Sequence, residues 1–172
     1  NKKIIDLIKK YRYHGHIGNR CYEYIGHNSQ MPSLQAAFIS LKLNQLTDWQ
    51  ERRSDIAKKY SNTLQNISDV ITPDVLKGNT HIWHKYVLRI NDQRENLINY
   101  LKQKGISTSI HYSTPLHLQP CFSEYISTQK VLPIVEEYIN HIFSLPIYPE
   151  LTDDEVNYIC DALKSYFKKT IF

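Results

Sequence analysis

Cysteine is scarce in this sequence, and its spacing excludes a disulfide framework. There are three cysteines, Cys21, Cys121 and Cys160, with no C-x-x-C pair. Small secreted domains carry an even and dense set of cysteines, so this pattern favours a reducing compartment. No apolar run has the length of a membrane-spanning helix, and no signal-like segment opens the chain. We therefore expect a cytoplasmic protein that makes no membrane association.

The motifs of several common active sites are missing as well. There is no Gly-rich phosphate loop, no H-E-x-x-H and no G-x-S-x-G. His81 and His84 are three apart on a predicted strand, so they point to opposite faces and cannot share a metal ion. His14 and His16 could converge in their loop, but no cysteine or carboxylate nearby has ligand spacing. We predict no metal site, and we expect His84 to be a core histidine.

The charge pattern argues against a nucleic-acid partner. The net charge is +4 and the lysines are spread along the chain, which falls short of a nucleic-acid footprint. The content of hydrophobic residues, 41%, and of charged residues, 22%, is that of an ordinary globular protein. The chain begins at Asn1, without an initiator Met, and a helical pattern is already under way there. We expect it to be the later part of a longer protein.

Helical spacing dominates the first part of the sequence. An amphipathic helix is predicted to end near His14-Gly15, and residues 16–31 are predicted to form an ordered loop. A second helix is predicted from Pro32, with an apolar surface broad enough to be covered on more than one side. A third is predicted from a capping box of Thr47 and Gln50. Its inner face consists of Trp49, Ile56, Tyr60 and Leu64.

Alternating apolar residues then predict two strands separated by a helix. The segment 81–90 predicts a strand with one face formed by Ile82, His84, Tyr86, Leu88 and Ile90. The next helix is predicted to be capped by Asp92 and Glu95 and ended by Gly105. The second strand is predicted over 106–112, with His111 on the face opposite Ile106, Thr108, Ile110 and Tyr112.

The remaining segments complete an α/β module. A proline-containing loop is predicted over 113–129, a helix over about 131–142 and a short extended piece over 144–149. The last helix has a capping box of Thr152 and Glu155, and Leu151 is predicted to pack on Val156. Its buried face is predicted to be Val156, Ile159, Cys160, Leu163 and Phe167. The predicted fold class is thus α/β, a helical lead-in followed by a small domain with a short sheet.

The segment SIHYSTPLHLQPCF, residues 109–122, has two interpretations. Two histidines, a tyrosine and a glutamine cluster where a strand passes into a loop, a common place for ligand contacts. A surface loop ordered by its prolines gives the same pattern. The residues alone leave both interpretations open.

Five segments in order resemble the DegT/DnrJ/StrS family of sugar aminotransferases. GHNSQMPSLQAA (26–37) is similar to the family pattern G-x-N-x-R-[ML]-x-x-x-Q-A-A, and residues 42–64 resemble its paired-arginine helix. HIWHKYVLRI (81–90) is similar to the H-x-x-H-x-Y-V strand. HYSTPLHLQP (111–120) is similar to the H-Y-x-x-P-x-H-x-Q-P loop, and LPIYPELTDDEV (145–156) to the family's ending. The resemblance covers essentially the whole chain.

The resemblance implies the C-terminal part of a fold-type-I, pyridoxal-phosphate-dependent transferase that works as a homodimer. By that resemblance, residues 1–31 are the end of the large cofactor-binding domain and an active-site loop. Residues 32–65 are interdomain and dimer-contact helices, and 66–172 form the small C-terminal α/β domain. The family's Schiff-base lysine lies in an S-F-x-x-x-K stretch that this sequence lacks. We expect it upstream of Asn1, so no catalytic residue is assigned here.

The site residues are carried over by position. Asn28 matches the family asparagine that reaches the cofactor phosphate of the other subunit, and a neutral amide near a helix start suits that task. Gln30 stands where the family usually has Arg, which keeps a donor but loses the charge and the bidentate fork. The resemblance places five further residues near the nucleotide sugar: His111, Tyr112, His117, His16 and Tyr22.

The activity implied is transfer of an amino group from glutamate to a keto-deoxysugar nucleotide, as in amino-sugar, lipopolysaccharide or O-antigen biosynthesis. The cofactor is pyridoxal 5'-phosphate, bound by the full-length dimer and not expected to be covalently attached to these 172 residues. The alternative is a non-catalytic truncated product that acts only as an assembly or dimerisation module.

Overall fold

The structure, a computed structural model, describes residues 1–123 and 131–170. The predicted loop 113–129 therefore lies partly outside the described residues. The chain divides into two compact units, Asn1–Leu46 and Thr47–Phe172. In the described part of the chain, no helix has the length and apolar character needed to cross a membrane.

The first unit consists of two helices and a small hairpin. Helix α1 spans Lys2–Tyr11, strands β1 and β2 span His16–Gly18 and Cys21–Tyr22, and helix α2 spans Ser33–Leu43. The hairpin is antiparallel, with His16 opposite Tyr22. The predicted end of the first helix near Gly15 and the predicted start of the second at Pro32 agree with these bounds.

Close backbone packing orders the segment between α1 and α2. Gly15 has a φ of +78°, and a Cβ there would overlap the carbonyl oxygen of Tyr24. The Gly15 N–H donates to the Lys10 carbonyl at 2.8 Å, and its own carbonyl accepts from the Glu23 N–H at 2.9 Å. Only glycine fits such an approach without strain. The ordered loop predicted over 16–31 is confirmed, with a two-stranded hairpin inside it.

The second unit is built on a three-stranded antiparallel sheet. Its helices are α3 (Leu46–Leu64, beginning one residue before the unit), α4 (Arg94–Gln103), α5 (Pro133–Tyr138) and α6 (Asp153–Thr170). Its strands are β3 (Val70–Ile71), β4 (Tyr86–Ile90) and β5 (Ile142–Leu145), in the sheet order β3-β4-β5. Tyr86 lies opposite Leu145, and Leu88 opposite Phe143, so the central strand presents its alternate residues to one core.

That core joins the sheet to α3, α4 and α6. Tyr60, Tyr86, Leu88, Leu97 and Leu163 are fully buried. The Tyr60 hydroxyl donates to the Pro146 carbonyl at 2.9 Å, and the Tyr86 hydroxyl lies 2.8 Å from the Ser61 Oγ. Both buried phenol hydroxyls therefore have hydrogen-bond partners, as buried polar groups require.

The last helix forms as the sequence predicts. The Thr152 N–H and Oγ1 both donate to Glu155 Oε2 at 2.8 Å, and the Glu155 N–H donates back to Thr152 Oγ1 at 3.2 Å. This reciprocal capping box satisfies backbone donors that the helix itself cannot. The predicted buried face is confirmed for all five residues: Val156, Ile159, Cys160, Leu163 and Phe167.

The strand predicted over 81–90 is shorter than expected. Only Tyr86–Ile90 is a strand, and Ile82 and His84 are exposed rather than inside. The alternation breaks at Trp83, which has a φ of +52°, is itself buried, and donates its N–H to His81 Nδ1 at 2.9 Å. The expectation of a core His84 is therefore wrong, because the chain turns at Trp83.

Two predicted caps are also wrong. Helix α3 begins at Leu46, and a turn of only two residues separates it from α2, so Thr47 is already helical and cannot cap. At α4 the N-cap is Gln93, which has a φ of +58° and donates its N–H to Asp92 Oδ1 at 2.8 Å. Glu95 pairs with Arg94 rather than with the helix start.

The strand predicted over 106–112 reduces to a single bridge. Ser109 and Ser144 exchange two backbone hydrogen bonds, of 2.7 and 3.3 Å. The ladder cannot continue beyond Ser144 on one side because Pro146 has no N–H to donate. Ile106 is buried as predicted, whereas Tyr112 is 73% exposed instead of sharing that face. The helix predicted over 131–142 is limited to Pro133–Tyr138, and β5 takes its last predicted residue.

Candidate functional site

A small cleft in the second unit gathers polar and basic residues around one predicted site residue. We call it the His111 cleft; it has a volume of about 190 Å³ and is lined among others by His84, Lys85, Ser107, Ser109, His111 and Ser144. It forms where the Ser109–Ser144 bridge meets the end of β5.

His111 is held in place by a buried hydroxyl. Its Nδ1 lies 2.9 Å from the Oγ of Ser144, a residue that is only 3% exposed. Because Ser144 is fixed by its backbone pairing with Ser109, the imidazole has a rigid partner. Because Nδ1 is occupied by this hydrogen bond, Nε2 is the ring atom through which His111 can bind a ligand, as donor or as acceptor according to the tautomer.

A larger cavity of about 560 Å³ adjoins the His111 cleft and shares Ser107, Pro146 and Tyr148 with it. Its remaining walls are mainly apolar and include Ile106, Leu151, Tyr158 and Ile159. Two carboxylates from the start of α6, Asp154 and Glu155, also line it. Concave space with apolar walls beside a few polar groups is the usual form of a small-molecule site.

Tyr112 and His117, the other two site residues predicted from the same loop, have different surroundings from those of His111. Tyr112 is largely exposed, and its ring meets that of His111 edge-on with centroids 5.4 Å apart. His117 Nε2 lies 3.0 Å from Glu136 Oε1, and its side chain is only 12% exposed. The Leu132 N–H and His117 together hold the pKa of Glu136 below its usual range. His117 thus has an internal partner, which ties the loop to α5.

The residues predicted in the first unit form a separate group. His16 and Tyr22 face each other across the hairpin, with ring centroids 5.4 Å apart, and Tyr13 packs edge-on against His16 at 5.2 Å. Asn28 pairs through its backbone with Tyr13, and the N–H of the following Ser29 donates to Arg12. Asn28 and Gln30 are both exposed.

The residues present fit the phosphate end of the predicted cofactor. Asn28 and Gln30 supply exposed neutral amides shortly before α2, whose N-cap, Pro32, provides no side-chain hydrogen bond. Free backbone N–H groups at a helix start, with amides nearby, favour an anion. Among the lysines whose side chains the structure describes, Lys10 and Lys59 are half-buried and the others are exposed. In the described residues, no three His, Cys, Asp or Glu side chains are grouped to hold a metal ion.

Sequence reasoning missed three residues of the His111 cleft: His84, Lys85 and Ser144. His84 and Lys85 were missed because the alternating pattern of the sequence predicts a continuous strand there. The structure instead has a turn at Trp83, which has a positive φ. Apart from the tyrosines, tryptophan and cysteine counted with the core, Ser144 is the single buried polar residue among the described residues. A serine within the apolar segment IFSL is the signal that could have identified it, since a buried hydroxyl needs a partner.

Similarity to solved structures identifies the class of protein. The chain is similar to an aminotransferase from Brucella abortus, with a TM-score of 0.89 and 29% identity over 97% of this chain and 44% of that one. It is also similar to S. venezuelae DesV, with a TM-score of 0.90 and 27% identity over 97% of this chain and 45% of that one. The fold is therefore that of part of a fold-type-I aminotransferase, as the sequence predicted.

The chain belongs to the DegT/DnrJ/EryC1/StrS aminotransferase family, which matches residues 1–164. One curated relative is the dTDP-3-amino-3,6-dideoxy-alpha-D-galactopyranose transaminase of Aneurinibacillus thermoaerophilus, 34% identical over 94% of this chain and 43% of that protein. Another is a pleiotropic regulatory protein of Geobacillus stearothermophilus, 33% identical over 96% of this chain and 45% of that protein. The chain thus spans about half the length of the relatives it matches.

Proposed function

We propose that these residues form the C-terminal portion of a pyridoxal-phosphate-dependent aminotransferase of a nucleotide-linked keto-deoxysugar, with glutamate as the amino donor. The observation that carries the proposal is the family match over residues 1–164. Relatives whose names specify transamination of dTDP-linked amino sugars support the substrate class. The proposal includes a homodimer in the cytoplasm, acting in amino-sugar, lipopolysaccharide or O-antigen biosynthesis.

In this proposal the chain supplies binding and orientation. Asn28 and Gln30 donate hydrogen bonds to the phosphate of the cofactor held by the other subunit, and pyridoxal phosphate supplies the electron sink for transamination. Gln30 gives a weaker grip than the Arg usual in the family, because it has no charge and no bidentate fork. His16 and Tyr22 form a wall that limits the access of water to the reacting groups.

The nucleotide sugar is assigned to the second unit. His111, oriented by Ser144, hydrogen-bonds the substrate through Nε2, and the adjoining cavity takes its less polar part. Tyr112 is exposed enough to close over the substrate from the loop side. His117 supports the loop through Glu136 while the substrate is bound. These roles orient the sugar for attack, which is a large part of what the protein contributes to such a reaction.

The first test is the coding DNA that precedes Asn1. An in-frame S-F-x-x-x-K stretch followed by a Gly-rich segment supports the enzyme, whereas a start codon immediately before Asn1 contradicts it for this chain. The 172 residues alone, incubated with pyridoxal phosphate and borohydride, are expected to give no covalent adduct. An adduct at one specific lysine would overturn the assignment of the catalytic lysine to a segment outside this sequence.

The second test uses the longer protein and separates the two halves of the reaction. His111→Asn is expected to lower kcat/KM for the nucleotide sugar about 10- to 100-fold, the effect of losing a hydrogen bond to a charged or polar substrate. The half-reaction with glutamate serves as the internal control and should change little. An equal loss in both half-reactions would remove His111 from the sugar site.

The alternative is a non-catalytic assembly or dimerisation module. The exposed apolar side chains of α1 and α2, such as Ile8 and Leu34, favour it, because such surfaces usually pack against protein. Light scattering of the isolated chain tests this function. If the isolated chain forms discrete dimers and the longer protein has no amination activity, the results would support the module over the enzyme.

A further inference from the structure

We propose that the His111 cleft is a binding site for a phosphate group. The inference rests on the proposed function, under which this phosphate belongs to the diphosphate of the nucleotide sugar. It assigns ligand contacts to His84 and Lys85, neither of which the sequence singled out as a site residue. The cleft lies wholly within the second unit, so binding is testable on this chain by itself.

The lining chemistry matches a phosphate. Lys85 brings an ammonium with three donors, and His84 and His111 each bring at least one ring N–H or acceptor, according to tautomer. Ser107 and Ser109 add hydroxyls that can donate. None of the described residues lining the cleft is Asp or Glu, so no carboxylate there repels an anion. Hydrogen bonds from cationic and neutral donors to one oxyanion are the strong, charge-assisted kind.

The local backbone is built to bring these donors together. Trp83 has a φ of +52°, which is an uncommon conformation for so bulky a side chain and costs energy. Two ring contacts hold it there, His81 at 4.2 Å and Tyr86 at 5.7 Å between centroids. The turn ends the alternation of the strand, and as a result His84 and Lys85 line the cleft instead of continuing the sheet. Strain of this kind is typical of functional sites.

The neighbouring cavity indicates which part of the ligand carries the negative charge. It is mainly apolar and carries Asp154 and Glu155, so an anion is unfavourable there and favourable only in the His111 cleft. Because the two spaces share Ser107 and Tyr148, one molecule can occupy both. A nucleotide sugar placed in this way has its diphosphate in the His111 cleft and one of its two uncharged parts, the sugar or the nucleoside, in the cavity.

The experiment is a titration of the 172-residue chain at constant ionic strength, followed by NMR of its amides and imidazoles. The probes are inorganic pyrophosphate, glutamate and chloride. Pyrophosphate is expected to shift the signals of Ser107, Ser109 and His111 saturably. Lys85→Met should weaken that binding about tenfold, the loss of one charge-assisted hydrogen bond. Lys85→Arg should retain most of it, since the charge and donors remain.

Lys58→Met is the matched control, because Lys58 is 70% exposed and pairs with Asp55, away from the cleft-lining residues. It removes the same charge and should change the affinity less than twofold. Equal weakening by both lysine variants, an equal response to chloride, or no saturable shift would overturn the proposal. Binding of glutamate without pyrophosphate would overturn it too, because the cleft would then be a carboxylate site. A positive titration together with an inactive longer protein would refute the proposed function and leave the phosphate site standing.

Discussion

The two units of the chain cover their apolar side chains very differently. In the second unit, Leu88 and Leu163 have no measurable exposure. In the first, Ile8 is 58% exposed and Leu34 is 70% exposed, and neither α1 nor α2 contains a buried residue. Every buried apolar side chain of the described residues lies in the second unit. The second unit therefore has a core of its own, and the first does not.

The difference shows what stabilises each unit. The second relies on apolar burial, the dominant favourable term in folding. The first relies on backbone hydrogen bonds around Gly15 and on surface contacts such as the 2.6 Å ion pair of Lys10 with Glu23. Exposed ion pairs contribute little. We expect the apolar faces of α1 and α2 to cause self-association, and a clean monomer in light scattering would count against this.

The largest contrast is expected from truncating one leucine in each unit. Leu88→Ala leaves a cavity under the sheet and should lower the free energy of unfolding by about 2–5 kcal/mol. Leu34→Ala removes exposed atoms and should change it by about 0.5 kcal/mol or less. Urea denaturation followed by circular dichroism measures both. Equal losses would mean that α2 is packed as tightly as the core.

A second, more local effect is expected at Gly15. Gly15→Ala places a methyl group where the Tyr24 carbonyl lies, so the hairpin should lose about 1–3 kcal/mol of local stability. Gly18→Ala is the control, because a Cβ there meets no atom within 4 Å and only the positive φ is unfavourable. Hydrogen exchange should speed up at the Glu23 amide while the second unit keeps its protection. Faster exchange throughout β4 would show that the units are not separable.

Alkaline pH should destabilise the second unit through a buried phenol. Burial raises the pKa of Tyr86 from 10.0 to about 12, and the pKa of Tyr60 is raised for the same reason. A raised pKa means that the stabilising contribution is complete below pH 10 and is lost as the pH rises towards 12. Unfolding titrations between pH 9 and 12 measure the loss, and Tyr86→Phe should flatten it. If Tyr86→Phe left the pH dependence of the free energy of unfolding unchanged, the alkaline loss of stability would have to come from another group.

The smallest effect is expected from an ion pair of the second unit at acid pH. A hydrogen bond from Arg52, and then its charge, hold the pKa of Asp153 below its usual value. The contribution is therefore present above pH 3.8 and is lost as the pH falls through the lowered pKa. Asp153→Asn and Arg52→Met should each make the acid loss of stability shallower. Their double variant should add nothing further, since either change removes the same pair.

The sequence predicts best where a local pattern coincides with a tertiary role. The Thr152–Glu155 box and the buried face of α6 are correct because cap and apolar stripe specify the same helix. The core residues of β4 were found for the same reason, since Tyr86, Leu88 and Ile90 alternate and are buried. The family and the fold followed from motifs spread over the whole chain.

The errors come from backbone choices that composition does not reveal. A tryptophan with a positive φ is uncommon, so no pattern predicts the turn that exposes His84. Likewise, the strand predicted over 106–112 is reduced to the Ser109–Ser144 bridge, because Pro146, two residues beyond Ser144, has no N–H with which to continue the ladder. In the candidate site, His111 could be named from the sequence, whereas its hydrogen bond with Ser144 could not, because the two residues are 33 positions apart. The roles of all seven predicted site residues stay predictions: His111, Tyr112, His117, His16, Tyr22, Asn28 and Gln30.

The hydrogen bond between Tyr60 and Pro146 joins residues 86 positions apart, and the central strand β4 pairs with a partner that comes more than a helix later. During synthesis on the ribosome, α3, β3 and β4 emerge well before β5 and α6 exist. Contacts so distant in sequence make folding slow. Until β5 and α6 are synthesised, β4 has an unpaired edge and its leucine is not covered. We therefore expect the second unit to reach its native packing only after α6 has emerged, and we expect its refolding to be slower than that of a helical protein of its size.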